Sequence, residues 1–454
     1  MIPVFCEKTD TFQSVSKRSP FLFDCILAIG CRAEEGLDPK VCHDLQARMD
    51  THLSNIIAAA EKPSLEMIQA IAIMAGYSDN GMVLISLAIR LAKEIQLHET
   101  MVLFMTPKVT NAEAVTELQK HQYRLMRVWL GICNLELFFS LDGGRLPSTR
   151  LMVMEQRVAV MVNHPDCTNS DIRLFSQIKL NSIRSQAYRE LAEVTKAQSM
   201  NPSAHETWLR ELVPHTCNEL SLWRDGWEHI IKTRVNISHQ ALALLNLRIQ
   251  YEWAFITLHL KTLQGLETEN IAMMSDFQRD MVRVAKEAAV RHLHLLLETP
   301  LRSSSPRVGP PNQPSPSAYL STFKWAISFV WAKCAFSVLL ALKLSILLQD
   351  PPLFVMSLLS EAKQVLKDLQ TVRAGHTGYI QILQESVEKC EEALRSYLQD
   401  QDNGEIVSST GNGGHAEDEF QGYAPSEFVF KWDFPGLNLR HVPIRWQDLF
   451  VNMD

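Results

Sequence analysis

Apolar residues recur along this chain at intervals of three and four almost from end to end, and that spacing limits its fold more than any other feature. A 3.6-residue period puts Leu45, Met49, Leu53, Ile56 and Ala60 on one face of a helix that starts at Pro39, with Asp38 as its N-cap. After Pro63-Ser64, the residues Leu65, Ile68, Ala72 and Ala75 repeat the pattern until Asp79-Asn80-Gly81 interrupts it. Leu84, Ala88, Leu91 and Ile95 make a third stripe that ends near His98, and Ile380, Leu383, Val387, Cys390, Leu394 and Tyr397 make a late one. No alternating run of β-branched residues is bounded by turn signals, so no sheet is expected. The chain reads as all-α, a large bundle of antiparallel helix pairs joined by short loops and followed by an irregular C-terminal tail. No internal repeat has a fixed period, which argues against a regular solenoid.

Two segments divide this helical body. Residues 302–318 hold five prolines and five serines, too many for a helix, and separate a first helical part (1–301) from a second (319–399) as a linker or exposed loop. Residues 400–426 begin an acidic, Gly- and Ser-containing stretch that is expected to be a flexible spacer, and 427–454 form an aromatic-acidic C-terminal segment. Ala326 to Leu348 is apolar enough to be confused with a membrane span. Lys333 and Lys343 interrupt it at positions costly in mid-bilayer, so a buried core helix and no membrane role are expected.

Charge and cysteine usage exclude several classes. With 44 Lys and Arg against 51 Asp and Glu the chain carries a net charge of -7, which opposes autonomous nucleic-acid binding. Nine cysteines, an odd and scattered set, and an N-terminus without an apolar signal region point to free thiols in a reducing compartment. The Asn236-Ile237-Ser238 sequon is then expected to go unused.

Catalytic signatures are missing from the sequence. It has no G-x-x-x-x-G-K-[ST] loop, no G-x-G-x-x-G after a strand, no G-x-S-x-G elbow and no D-D-x-x-D cluster. His98-Glu99 and His205-Glu206 open like a zinc-protease helix, but Val102 and Leu209 stand where the second histidine belongs. His292 and His294 are two apart and leave a helix in divergent directions. Cys25, Cys31 and Cys42 lack the close C-x(2-4)-C pairing of a tight zinc site. No catalytic residue, metal site or cofactor is therefore expected, and the chain is read as a non-enzyme.

An ordered set of short motifs carries more information. Ser19-Pro20-Phe21-Leu22-Phe23 leads into Ile26-Leu27-Ala28-Ile29-Gly30; Ser64 to Ala75 contains Gln69; Ala88-Ile89-Arg90-Leu91-Ala92 runs on to Leu97-His98. Arg127-Val128-Trp129 is followed by Leu135-Glu136, Ser140 and Gly144-Arg145-Leu146-Pro147. In this order and spacing, over residues 17–150, the chain resembles the middle homology (regulatory) domain of fungal transcription factors of the zinc binuclear cluster family. It departs from that pattern where Leu130 replaces a second Trp, Glu136 replaces an Asp, and Leu146 separates Arg145 from Pro147.

The resemblance implies an all-helical regulatory domain in the nucleus that gates transcription, possessing no bond-making centre and controlling a metabolic or secondary-metabolite gene set. The signature positions Gln69, Arg90, Arg127, Trp129, Glu136, Ser140, Gly144, Arg145 and Pro147 are expected to maintain the fold: Arg127 reaching a carboxylate or a helix-end carbonyl, Trp129 anchoring the core, Gly144 and Pro147 ending a helix. The family's paired-cysteine module is not seen before the resemblance begins, so no direct DNA contact is expected. The implied partners are proteins, either a coactivator or a complete DNA-binding family member, with homo- or heterodimerisation open. Trp432, Phe434, Trp446, Leu449 and Phe450, interleaved with acidic residues, suit an activation segment or a tail docked on the helical body. The competing class is a cytoplasmic helical scaffold or small-molecule-binding protein built on the same domain.

Overall fold

Ser64 shows how the helices begin. Its backbone is extended and its hydroxyl accepts a hydrogen bond from the Met67 amide at 3.2 Å, meeting a donor that a first helical turn otherwise leaves open. Ser275 adds the reciprocal bond, with the Gln278 side chain accepting from the Ser275 amide in a complete capping box. The computed structural model describes residues 4–6, 9–33, 39–78, 81–100, 117–149, 155–198, 202–263, 274–298, 319–348, 350–372 and 377–404.

In chain order the helices are α1 (Phe12–Arg18), α2 (Pro20–Ala33), α3 (Pro39–Ile57), α4 (Leu65–Tyr77), α5 (Gly81–Glu94), α6 (Glu117–Asp142) and α7 (Glu155–Val162). They continue as α8 (Asn169–Gln198), α9 (Pro202–Arg234), α10 (Ile237–Thr262), α11 (Asp276–Leu297), α12 (Ser328–Leu347), α13 (Pro352–Val372) and α14 (Thr377–Gly404), with 3-10 turns at Leu97–Glu99 and Leu320–Trp325. No strand occurs among the described residues, and the fold is all-α. Successive helices pack on one another: α2 on α3, α4 on α5, α8 on α9, α9 on α10, α10 on α11, α11 on α12, and α13 on α14. Only Val235 and Asn236 join α9 to α10, so these packed neighbours must run in opposite directions.

One contiguous apolar core runs from Val4 to Leu394 and contains side chains from both sides of residues 302–318. Its largest fully buried members include Trp253, Trp331 and Phe175. The expected stripes of α4 and α14 lie in it, with Ile68, Ala72, Ala75, Leu383, Val387, Cys390 and Leu394 all buried. The apolar stretch Ser328–Ile346 is long enough to cross a bilayer, yet 78% of it is buried inside the protein, as a core helix is.

Two expected boundaries move. Ala60 does not extend the α3 stripe: α3 stops at Ile57, Ala59 turns left-handed with φ 53°, and Ala60 is exposed. Helix α14 continues to Gly404, so the first five residues of the expected spacer extend the helix before it. Asp38, the 302–318 segment and residues 405–454, including Trp432, Phe434, Trp446, Leu449 and Phe450, lie outside the described residues.

Candidate functional site

The signature positions gather on α6 and its C-terminal stop. Arg127 is buried on α6 and forks onto Asp171, in the first turn of α8, through Nε to Oδ1 at 2.5 Å and Nη2 to Oδ2 at 2.7 Å. Nη2 also donates to the Asp166 carbonyl at 3.2 Å, and the guanidinium lies 5.0 Å from the Tyr123 ring centroid. Burial disfavours the Arg127 charge, but the Asp171 carboxylate outweighs it and raises its pKa further above the ordinary range. Asp171 Oδ2 accepts in addition from the Thr168 amide and hydroxyl, each at 2.9 Å, and so ties the start of α8 to the middle of α6. Arg127 thus reaches both a carboxylate and a carbonyl. Glu136 is not its partner: Glu136 Oε1 accepts from the Ser148 amide at 2.7 Å and hydroxyl at 3.0 Å, fixing the chain after α6.

The stop after α6 is a Schellman motif. The Arg145 amide donates to the Ser140 carbonyl at 2.8 Å and the Gly144 amide to the Leu141 carbonyl at 3.1 Å, with Gly144 at φ 69°. Gly144→Ala is expected to lower stability by about 1 kcal/mol, because a Cβ disfavours the left-handed region; urea midpoints of the two proteins measure it. Trp129, Ser140 and Pro147 are buried, and Gln69 is buried with its Nε2 donating to the Val4 carbonyl at 2.7 Å. The Arg145 side chain is exposed beyond the stop, and Arg90 is exposed on α5, apart from this cluster.

Beside the stop lies a charge cluster that the motif reading did not name. Asp142, the last residue of α6, is fully buried. Its Oδ1 accepts from Arg184 Nη2 of α8 at 2.6 Å and from Trp253 Nε1 of α10 at 3.0 Å, while Oδ2 meets Lys333 Nζ of α12. Burial pushes the Asp142 carboxyl up, but Lys333 and Arg184 outweigh it and hold it below the usual carboxylate range. One carboxylate faces two cations, so the cluster carries a net positive charge. Burial, helped by Arg184, brings Lys333 down to about 8 despite the Asp142 carboxylate.

His292, also buried, is pushed down to about 3 by burial and then by the Lys333 charge. Its unfolded value near 6.5 means the unfolded chain binds a proton below that pH while the folded chain refuses it. Stability is therefore expected to fall as pH drops from 6.5 towards 3, by about 2 kcal/mol at pH 5. Thermal unfolding of wild type and His292→Gln at pH 7 and 5 tests this; the variant should lose much of the difference.

Among the described residues, two of the surface cavities are roomy enough to admit a ligand. One, of about 750 Å³, lies among α9, α10, α11 and α13 and brings Arg224, Arg248, Arg291 and His294 together with five carboxylates. Its arginines are engaged internally: Arg224 with Asp225 at 2.9 Å, Arg248 with Glu298 at 2.8 Å, and Arg291 with Glu252 at 3.0 Å. A polar ligand would have to exchange these pairs for its own. Burial raises the Glu252 carboxyl even against Arg291. The other, a groove of about 740 Å³ between α2, α3, α4 and α5, has a mixed lining in which Ile29, Met49, Leu53 and Leu87 alternate with Arg32, Gln46 and Asp50. None of the nine signature positions lines either cavity. Among the described residues no group of three His, Cys, Asp or Glu side chains is placed to hold a metal.

Sequence reasoning missed Asp142, Arg184 and Asp171. One signal pointed towards Asp142: Lys333 inside an apolar helix demanded a buried anion. What the arrangement can do is hold α6, α8, α10 and α12 in one register and present two cavities at the surface. No protein-family model matches the chain, and no curated protein or solved structure matches it either.

Proposed function

We propose that the chain is the helical regulatory part of a transcription regulator of the fungal zinc-binuclear-cluster type, a non-enzyme that works in the nucleus through protein partners. One observation carries this reading. Arg127, Trp129, Glu136, Ser140, Gly144, Arg145 and Pro147, ordered as in that family's regulatory domain, fall on one helix and its stop; all but the exposed Arg145 side chain hold that helix, its stop and the core beside it in place, and none lines either cavity. Residues with a structural role of this kind are what a shared domain would keep. The partner is a coactivator or a complete DNA-binding member of the family, and residues 427–454 supply the activating contact.

The test fuses the full chain to a heterologous DNA-binding domain beside a reporter gene. Reporter output should rise, and removal of residues 427–454 should return it to background. Silence with and without that segment counts against an activating role. A second reading, a cytoplasmic scaffold or small-molecule-binding protein, is favoured by the charged cavity lined by Arg224, Arg248 and Arg291. Exclusion of the tagged chain from nuclei would support it.

A further inference from the structure

We propose that the charged cavity among α9, α10, α11 and α13 binds a basic α-amino acid, a ligand with one carboxylate and two cationic groups. The inference rests on the cavity that favours the second reading, and it names the ligand class of that site. The volume of about 750 Å³ lies within the roughly 300–1,000 Å³ typical of small-molecule sites. Of the three arginines in its walls, Arg291 is fixed. It forks onto the buried Glu252, with Nε donating to both carboxylate oxygens at 3.1 Å and Nη2 3.0 Å from Oε2. Arg224 is held twice, by Asp225 at 2.9 Å and by the Tyr251 ring, whose centroid is 4.7 Å away. Arg248 has a single charged contact, from Nη2 to Oε1 of Glu298 at 2.8 Å, and both side chains reach solvent. An exposed pair of this kind adds little to stability, so a ligand opens it at small cost.

Opening the Arg248–Glu298 pair gives one guanidinium and one carboxylate, the two groups that recognise the backbone end of an amino acid. The ligand carboxylate accepts from the guanidinium as a fork and the α-ammonium donates to Glu298, so each partner regains an ion pair. The second cation of the ligand answers the charge of the walls. Three arginines face five carboxylates, a surplus of two negative charges with His294 uncharged. Two flanking residues cancel each other, since Lys232 pairs with Glu228 at 2.5 Å and Glu287 lies 4.0 Å from Arg291. Asp225 is bonded through Oδ1 alone and Glu228 through Oε1 alone, which leaves their other oxygens as acceptors for a ligand cation. Leu295 and Leu297, half-buried in the wall, suit the ligand's methylenes. A neutral amino acid lacks the group that offsets the surplus, and an acidic one adds to it.

The experiment is isothermal titration of the full chain at pH 7 and low ionic strength with three probes. These are L-lysine, L-glutamate, and cadaverine, which has both amines and no carboxylate. L-Lysine should bind saturably at one site per chain, and the other two at least about tenfold more weakly. Arg248→Met and Glu298→Gln should each weaken L-lysine binding at least about tenfold, while Arg283→Ala, outside the cavity, leaves it unchanged. Where a variant folds poorly, the three-probe comparison on the wild type decides. No saturable binding up to about 10 mM L-lysine, either other probe binding as tightly, or L-lysine affinity unchanged in a folded cavity variant overturns the proposal. Binding is measured apart from localisation and reporter output, so its failure leaves the second reading to be judged by where the tagged chain resides.

Discussion

Asp142→Asn will destabilise the protein by about 3–5 kcal/mol, a large part of the 5–15 kcal/mol that a typical domain possesses. The carboxylate is the partner of Arg184, Lys333 and the Trp253 indole at one fully buried point where α6, α8, α10 and α12 meet. Asparagine keeps the shape and loses the charge. Lys333 can respond by giving up its proton, since it already titrates near 8. Arg184 cannot, and its guanidinium is left as an uncompensated buried cation. Lys333→Met should cost less, about 1–2 kcal/mol, because it strips a donor from Asp142 Oδ2 but also removes the surplus charge. Urea denaturation at pH 7 ranks the two; little or no loss in Asp142→Asn would mean that Asp142 acts by shape alone. A pH series adds a second readout. Between about 8 and 10.5 the unfolded chain still holds the lysine proton that the folded chain has released, so wild-type stability gains a rising contribution across that window. Lys333→Met should lose it.

What was legible beforehand was local. The apolar period located the buried stripes of α4 and α14, Pro63-Ser64 marked a helix start, and Gly144 marked a stop, because each depends on residues within one or two turns. Ala60 failed for an equally local reason: a left-handed Ala59, a conformation that alanine seldom adopts, ends α3 early. Contacts between distant segments were not legible. Arg127 pairs with a residue 44 positions away, and Trp253 with one 111 positions away. Periodicity says which face of a helix is buried and not which helix covers it. The charged cavity is less visible still, since α9, α10, α11 and α13 each contribute residues unremarkable in their own sequence.

Asp171→Asn is the second large effect, again about 3–5 kcal/mol, and its partner Arg127 provides the control that separates charge from packing. In Asp171→Asn the Arg127 guanidinium stays buried with no anion beside it, facing one amide oxygen and the Asp166 carbonyl in place of a forked carboxylate. In Arg127→Met the Asp171 carboxylate still accepts from the Thr168 amide and hydroxyl, so this single change should cost somewhat less. The double variant leaves neither charge buried. Its loss should fall short of the sum of the two single losses by at least about 2 kcal/mol, the coupling expected of a desolvated, forked pair. Added salt should barely change that coupling, because water and ions do not reach the pair. Arg283→Ala, which breaks the exposed Arg283–Asp280 contact on α11, should by comparison cost under about 1 kcal/mol. The same variants bear on function. If α6 only holds the body together, reporter output per folded molecule stays at the wild-type level while the folded population falls. A drop per folded molecule in Asp171→Asn alone would mean that this buried pair also sets the shape of the surface on which the proposed activity depends.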